Sequence, residues 1–279
     1  MPIVPTASVS DIYSNQISGD LPTISVITIC RNAETTLEST MLSVVSQTYM
    51  HIEYIIVDGL SSDHTASIAR QVANRFPKRN IKIISEADRG IADAMNKGVQ
   101  FSTGEIITHL HAGDRYIDNS VINKVVRSYM ADSWRWGVAG SIVVNEVGNE
   151  GHIFRAQGDY KALLKKNCIP HQSTFFFRDI FNKHGFFNEK YKQAMDYEYW
   201  MRIAFKGGER FTILPFDTTY FMAGGRSSDV FELLRYLYRL RKSLSGYGCK
   251  VLALDDFIFF SRVIVFHVFY ELKRKLRIL

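Results

Sequence analysis

EIITHLHAGD, Glu105–Asp114, reads as a buried strand, EIITHLH, that runs out into an acidic turn, AGD. In an open α/β sheet, ligands bind outside the carboxyl ends of the strands. Asp114 stands at such an end, where a carboxylate can hold a divalent cation against a diphosphate. The strand ends upstream also carry acids: Asp58 with Asp63 just beyond it, and Glu86 with Asp88. These carboxylates are expected to line one crevice that takes a nucleotide and a metal ion.

Working back from that strand, ISVITIC (Ile24–Cys30) is a continuous apolar, β-branched run, as a central parallel strand requires. Thr35–Thr48 follows with Leu37, Met41, Val44 and Val45 at helical spacing. Glu53–Val57 reads as a second strand ending at Asp58-Gly59. Ser61 or Asp63 can then cap a helix running to about Phe76. Ile81–Ile84 is a third strand, and Gly90–Phe101 a third helix with Ile91, Ala94, Met95 and Val99 inward. Strand and helix alternate, so the economical fold is α/β, a Rossmann-like, mostly parallel sheet with helices on both faces.

Beyond Asp114 the pattern becomes mixed. Asn119–Met130 reads as a helix, Trp136–Asn145 as a strand, and GNEGH as a turn. Ser173–Arg178 is a further strand, Asp196–Phe205 a helix, and Phe211–Phe216 a short strand. This half is expected to shape the pocket of a second substrate. The organisation is then an N-terminal tail over residues 1–22, one domain over 23–228 divided at 115/116, and a helical extension over 229–279.

The formal net charge is +6. Phe231–Leu279 carries that whole excess, and the preceding residues are neutral in sum. This argues against a nucleic-acid groove over the main domain. The extension reads as two basic, aromatic helices around SGYGCK. Its apolar run, Phe257–Tyr270, is about 21 Å of helix, too short for a bilayer core of ~30 Å. The KRKLR cluster that follows suits anionic lipid headgroups, so contact with the membrane surface is expected. Cys30, Cys168 and Cys249 have no metal or disulfide spacing, and Cys30 reads as a buried free thiol in a reduced compartment. The N-terminus has neither the basic nor the apolar region of a signal peptide.

No GxGxxG follows the first strand and no GxxxxGK[ST] occurs, which speaks against a Rossmann dehydrogenase or a P-loop enzyme. The phosphates must then be met by a metal and side chains. ISVITICRN, IIVDGLSSDHT, SEADRGIADAMNKGV and GEIITHLHAGD, in that order, resemble the inverting family 2 glycosyltransferases of the GT-A fold. IPHQSTFF, QAMDYEYWMRI and GGRSS resemble a bacterial branch that builds O-antigen, capsule and exopolysaccharide. The resemblance covers about Ile24–Ser228.

It implies roles residue by residue. Asp58 and Asp88 match positions that contact the uracil and ribose of a UDP-sugar. Beside what the resemblance implies, Asn96 reads as a hydrogen-bonding residue, because Asn is not favoured in a helix interior, and Arg89 as a candidate for the diphosphate; both are placed on the donor side. Asp114 matches the last acid of a metal motif, with His111 as a second ligand for Mn²⁺ or Mg²⁺. Asp196 matches the catalytic base. His171 and Gln172 lie at the acceptor side, and Arg226 is a candidate for the diphosphate. His111 stands where Asp or Asn is usual, and Gly113 where many relatives have another Asp. The metal site is therefore thin, and imidazole suits Mn²⁺ better than Mg²⁺. Weak metal binding, completed by the diphosphate, is the consequence.

The implied activity is inverting, metal-dependent transfer from a UDP-sugar to a lipid-linked (polyprenyl diphosphate) saccharide at the cytoplasmic face of the inner membrane. Its competitors are a GDP-sugar transferase, a nucleotidyltransferase and a membrane-docking module with a dead crevice. A nucleotidyltransferase would show a Gly-rich basic loop where this chain has RNAETTLE. On position alone, Asp196 also fits a helix N-cap before the apolar-periodic YEYWMRIAF.

Overall fold

The computed structural model of the chain describes residues 21–144, 150–164 and 167–222, with isolated positions 261, 264, 265 and 268. Arg226, Cys249 and the expected basic helices lie outside the described residues.

Four strands follow the predicted alternation: β1 (Ile24–Cys30), β2 (Ile52–Asp58), β3 (Asn80–Ser85) and β4 (Ile106–His109). β1 pairs in parallel with β2 and β4, and β2 with β3. Between them run α1 (Leu37–Val45), α2 (Thr65–Arg75) and α3 (Ile91–Phe101). Side chains alternate across the sheet with period two. Val26, Tyr54 and Ile56 pack with Leu37, Met41, Ala69 and Val72 of α1 and α2. Ile27, Ile55 and Val57 face the other way, onto Ala92, Ala94, Met95 and Val99 of α3. Gly98 lets α3 sit close, since a Cβ there would come within 2.2 Å of Ile27.

After Asp114 come β5 (Arg115–Tyr116), α4 (Val121–Asp132), β6 (Trp136–Val144), β7 (Glu150–Phe154) and β8 (Thr174–Phe177). Then follow α5 (Asp179–His184), α6 (Met195–Met201) and β9 (Thr212–Met222). The described strands form one nine-stranded sheet, in the order β3-β2-β1-β4-β8-β6-β9-β5 with β7 on β6. β8 enters antiparallel between β4 and β6, so the sheet is parallel on the β3 side and mixed beyond β4.

Some expected elements change. Glu150–His152, expected in a turn, lie in β7. β9 runs on to Met222 because it pairs along β6 and with β5. The helix expected over Asp196–Phe205 is α6 followed by a π-turn, Arg202–Lys206. Ser61 caps nothing. Asp63 serves the start of α2, accepting from Thr65 N and Oγ1 at 3.0 and 2.5 Å.

At the end of the sheet away from the strand tips, Glu53 is 3% exposed. Its carboxylate accepts from Ser25 Oγ at 2.7 Å and from Thr103 N and Oγ1 at 2.6 and 3.0 Å. Burial alone would raise its pKa. These bonds, with Lys82 3.7 Å away, outweigh burial and hold it below the usual carboxylate value. A depressed carboxyl stabilises the fold fully above its unfolded pKa of ~4.3, and the contribution is lost as pH falls through the folded value. Glu53→Ala is expected to cost about 3 kcal/mol at pH 7, by leaving buried donors unpaired. Urea unfolding should show that deficit shrinking below pH 4. A deficit below ~0.5 kcal/mol at pH 7, the range of an ordinary surface substitution, would refute the assignment.

Candidate active site

The loops after β1, β2, β3 and β4 gather at one end of the sheet, and those after β1 and β2 each carry a non-glycine residue at positive φ, Asn32 and Leu60. Asn32, Leu60 and Ala194, with Ser133 elsewhere, are the described non-glycine residues at positive φ. Residues held there cost of order 1–3 kcal/mol and cluster at functional sites.

Asp58 is fully buried at the tip of β2. Its carboxylate accepts from Ser61 N at 3.2 and 3.3 Å, from the Ser61 hydroxyl, and from Ser85 Oγ at 2.6 Å. Asp58 thus ties the turn after β2 to the end of β3, and lies under the cleft rather than in its wall. Asp88 is half-buried and accepts from Gly90 N at 2.9 Å. It presses on the Asp58 turn, since a Cβ on Gly59 would lie 2.0 Å from its Oδ2. Asp88, Arg89, Arg31, Cys30, Ile91 and His111 help line a cleft of about 500 Å³. Burial, then the Asp58 and Asp63 carboxylates, push the Cys30 thiol up to about 12, so it stays protonated.

A second cleft of about 290 Å³ is lined by Asp114, His111, His171, Gln172, Lys192 and Asp196 among others. The two clefts share Ile91 and His111. Asp114 is 8% exposed. Burial pushes its carboxyl up to about 7, opposed by a hydrogen bond from Met222 N–H. His111 stacks on His171 at 4.9 Å, and its Nδ1 has no protein partner. Burial, reinforced by the neighbouring imidazole, keeps His111 uncharged. Burial likewise pushes His109 and His171 down to about 3. Gln172 donates to Ser141 Oγ at 2.8 Å, fixing its end of the wall.

A buried carboxylate with no ion pair among the described residues and an imidazole with a nitrogen unpartnered among them, lining one cleft, suit a divalent cation. No trio of His, Cys, Asp or Glu side chains among the described residues forms a closed metal cage. Asp114 and His111 therefore fit an open site whose remaining ligands come with a substrate. Gly113 has a φ of 106° with open space around it. Its backbone, not crowding, keeps a side chain out of that turn.

Asp196 is not the helix N-cap. Ala194 occupies that position at a φ of 55°, and Asp196 sits inside the first turn of α6. Its Oδ1 accepts from Tyr197 N at 2.7 Å, and Oδ2 from Asn167 Nδ2 at 3.5 Å. Burial raises its pKa, while those two bonds pull it back.

The expectation of one crevice lined by all five acids is corrected. Asp88 and Asp114 line the clefts. Asp58 and Asp63 turn to internal partners, and Glu86 pairs with Lys97 at 2.9 Å. Arg89 lines the first cleft but is tied to Asp93 at 2.9 Å and Glu189 at 2.8 Å. Asn96 is 5% exposed, and both polar atoms of its amide bond the Phe187 backbone at 2.9 Å, so its side chain faces the Phe187 loop. Lys192, Gln193, Asn167 and His109 were not singled out from the sequence. Apart from the nearness of Lys192 and Gln193 to Asp196, nothing in local pattern marks them.

Comparison with known proteins bears on the family and the fold. The family described as glycosyl transferase family 2 matches residues 25–230. An uncharacterized glycosyltransferase of Mycobacterium tuberculosis is 30% identical over 240 residues, covering 82% of this chain and 88% of that protein. A PGL/p-HBAD biosynthesis glycosyltransferase of Mycobacterium bovis is 30% identical over 183 residues, covering 65% and 69%. Among solved structures, Staphylococcus aureus TarS 1–349 in complex with UDP superposes with a TM-score of 0.64 at 16% identity, covering 85% of this chain and 69% of that one. The mannosyltransferase PcManGT of Pyrobaculum calidifontis, in complex with GDP-Man and Mn²⁺, gives 0.60 at 19% identity, covering 85% and 72%.

Proposed function

This chain belongs to glycosyl transferase family 2, and from that premise we propose that it transfers a sugar from a UDP-sugar to a lipid-linked saccharide, with inversion at the anomeric carbon. The observation that carries the reading is the meeting of two clefts at His111. Asp88 stands in one, and Asp114 and Asp196 in the other.

In this reading the nucleoside lies in the larger cleft against Asp88 and Arg31. Asp58 supports it from beneath by fixing the Gly59 turn. The diphosphate reaches the seam, near Asp114 and His111, which would hold Mn²⁺ or Mg²⁺. When bound, the cation supplies charge neutralisation for the leaving diphosphate. The acceptor hydroxyl enters the smaller cleft past His171 and Gln172. Asp196 takes its proton as general base while the hydroxyl attacks the anomeric carbon from the side opposite the diphosphate. One displacement without a covalent enzyme intermediate inverts the centre. The raised pKa of Asp196 suits a base working near neutral pH. Arg226, outside the described residues, remains the proposed further contact for the diphosphate.

The bacterial surface-polysaccharide setting and a lipid-linked acceptor at the inner membrane are supported by the motif order and the basic extension. No described helix is long and apolar enough to cross a membrane. Deleting Phe231–Leu279 is the check, and a truncated protein that still sediments with vesicles would remove that anchor.

Calorimetric titration with UDP, with and without Mn²⁺, tests the donor assignment, with GDP and NAD as comparators. Mn²⁺-enhanced binding of UDP alone is expected. Preference for GDP would keep the fold and overturn the base assignment of the nucleotide, and no binding of any nucleotide would overturn the function. Gly59→Ala, which forces the Asp88 carboxylate aside, is expected to weaken UDP binding roughly tenfold, the scale of one charged hydrogen bond. Unchanged UDP affinity in that variant would take Asp88 out of the nucleotide site.

A further inference from the structure

The segment between α5 and α6 leads into the base, Asp196 in the first turn of α6, and it is strapped to the helix that opens the donor cleft. Asn96 on α3 donates from Nδ2 to Phe187 O and accepts from Phe187 N, each at 2.9 Å. Lys192 Nζ donates to Arg89 O at 3.0 Å, and Arg89 pairs with Glu189 at 2.8 Å. Two residues beyond Lys192 the chain turns through Ala194 at positive φ into Asp196.

Phe187 is the hinge of this strap. Its ring lies 4.7 Å from Tyr199 of α6 and edge-on to His109 at 5.4 Å. It also lies 6.3 Å from His171. Phe187 thereby touches the helix that carries Asp196 and the two histidines, His109 and His171, whose rings lie against His111. Its backbone, in turn, is fixed by a single amide on α3. That helix begins at Ile91, directly after Asp88 and Gly90 in the larger cleft. An amide side chain matching both hydrogen-bonding groups of one residue restrains its position and its rotation together, as one bond does not.

We propose that Asn96 is a positioning residue: through Phe187 it sets Asp196 relative to the donor cleft, with the Arg89–Glu189 pair and Lys192 completing the strap. The inference rests on the reading of Asp196 as base. It assigns Asn96 to the rate of transfer rather than to the binding of donor, the opposite of a nucleotide contact.

The test compares Asn96→Ala, Glu189→Gln and Asp196→Asn in the full-length protein, counting active sites by UDP titration. Asn96→Ala should lower kcat per UDP-binding site at least tenfold while moving the UDP Kd less than threefold. Glu189→Gln, at an exposed pair, should fold normally and lower kcat about twofold to fivefold, again with UDP Kd unmoved. If Asn96→Ala proves too unstable to purify, Glu189→Gln paired with Lys192→Met decides. The double variant should lose more kcat than either single one. Unchanged kcat per site in these variants would reduce the strap to a structural tie and overturn the proposal. A loss of UDP affinity equal to the loss of kcat/KM would overturn it in favour of a donor contact. Retained transfer in Asp196→Asn would instead sink the base assignment beneath it, a result the Asn96 data cannot mimic.

Discussion

Asp196→Asn is expected to abolish sugar transfer, by the ~10²–10⁴-fold a positioned general base contributes, while UDP binds as before. The amide has nearly the carboxylate's shape. It can still accept from Tyr197 N, which holds Oδ1 at 2.7 Å. What it cannot do is take a proton. The variant should also be no less stable than the parent, and this follows from the sign of the pKa shift. Burial raises the folded pKa of Asp196 above its ordinary value, so at neutral pH the ionised carboxylate opposes folding, and a neutral amide removes that opposition. Release of UDP from a UDP-sugar in the presence of acceptor, alongside UDP titration and thermal melts, separates the outcomes. Transfer within tenfold of the parent would end the base assignment. Loss of UDP binding would move Asp196 to the donor side.

Asp114→Asn is expected to remove the Mn²⁺-dependent part of UDP affinity and leave the metal-independent part. The loss should reach at least the ~10–100-fold that even the outer partners of metal ligands carry. The reason is the poverty of the site. Asp114 lines the smaller cleft with His111, and no three-residue cage among the described residues backs the pair. The titration belongs near pH 8, because burial holds the metal-free carboxyl protonated up to about 7. Its companion is His111→Asp, which exchanges imidazole for a ligand that Mg²⁺ prefers. It should raise the effectiveness of Mg²⁺ relative to Mn²⁺. Equal Mn²⁺ enhancement in parent and Asp114→Asn would remove Asp114 from the metal site.

The donor half was legible because β1, β2 and β4 are buried on both faces and its helices present one apolar stripe. ISVITIC and IEYIIVD could be little else. The order of the remaining strands was not legible. STFFFR announces a strand, but apolar content says nothing of partners, and β8 pairs with β4 and β6 instead of a sequence neighbour. At the site, Asp114, His111, His171 and Asp196 line one cleft and Asp88 the adjoining one, while the roles that the motifs imply for them belong to the proposal. Asp58 did not reach the cleft surface, because two serines claim its carboxylate. Asn96 could be recognised as a hydrogen-bonding residue from its place in a helix interior. Its partner, a backbone far along the chain, is a product of tertiary packing. Ala194 gave no sign at all, since nothing in an alanine advertises a left-handed turn.

The late arrival of β8 bears on how the chain leaves the ribosome. β4 is complete long before Thr174–Phe177 is synthesised, at ~5–20 residues per second. Until then its outer backbone groups form a bare sheet edge, the kind that recruits other chains. β6 is in the same position along the stretch that β8 will pair. The nascent protein thus exposes two matching edges, to be closed by the Phe-rich strand TFFF. Fragments ending between Asp114 and Thr174 should collect in inclusion bodies. The same interleaving means that the nucleotide half cannot be cut out as a soluble unit at the acidic turn, because its last strand is finished by residues from the acceptor half.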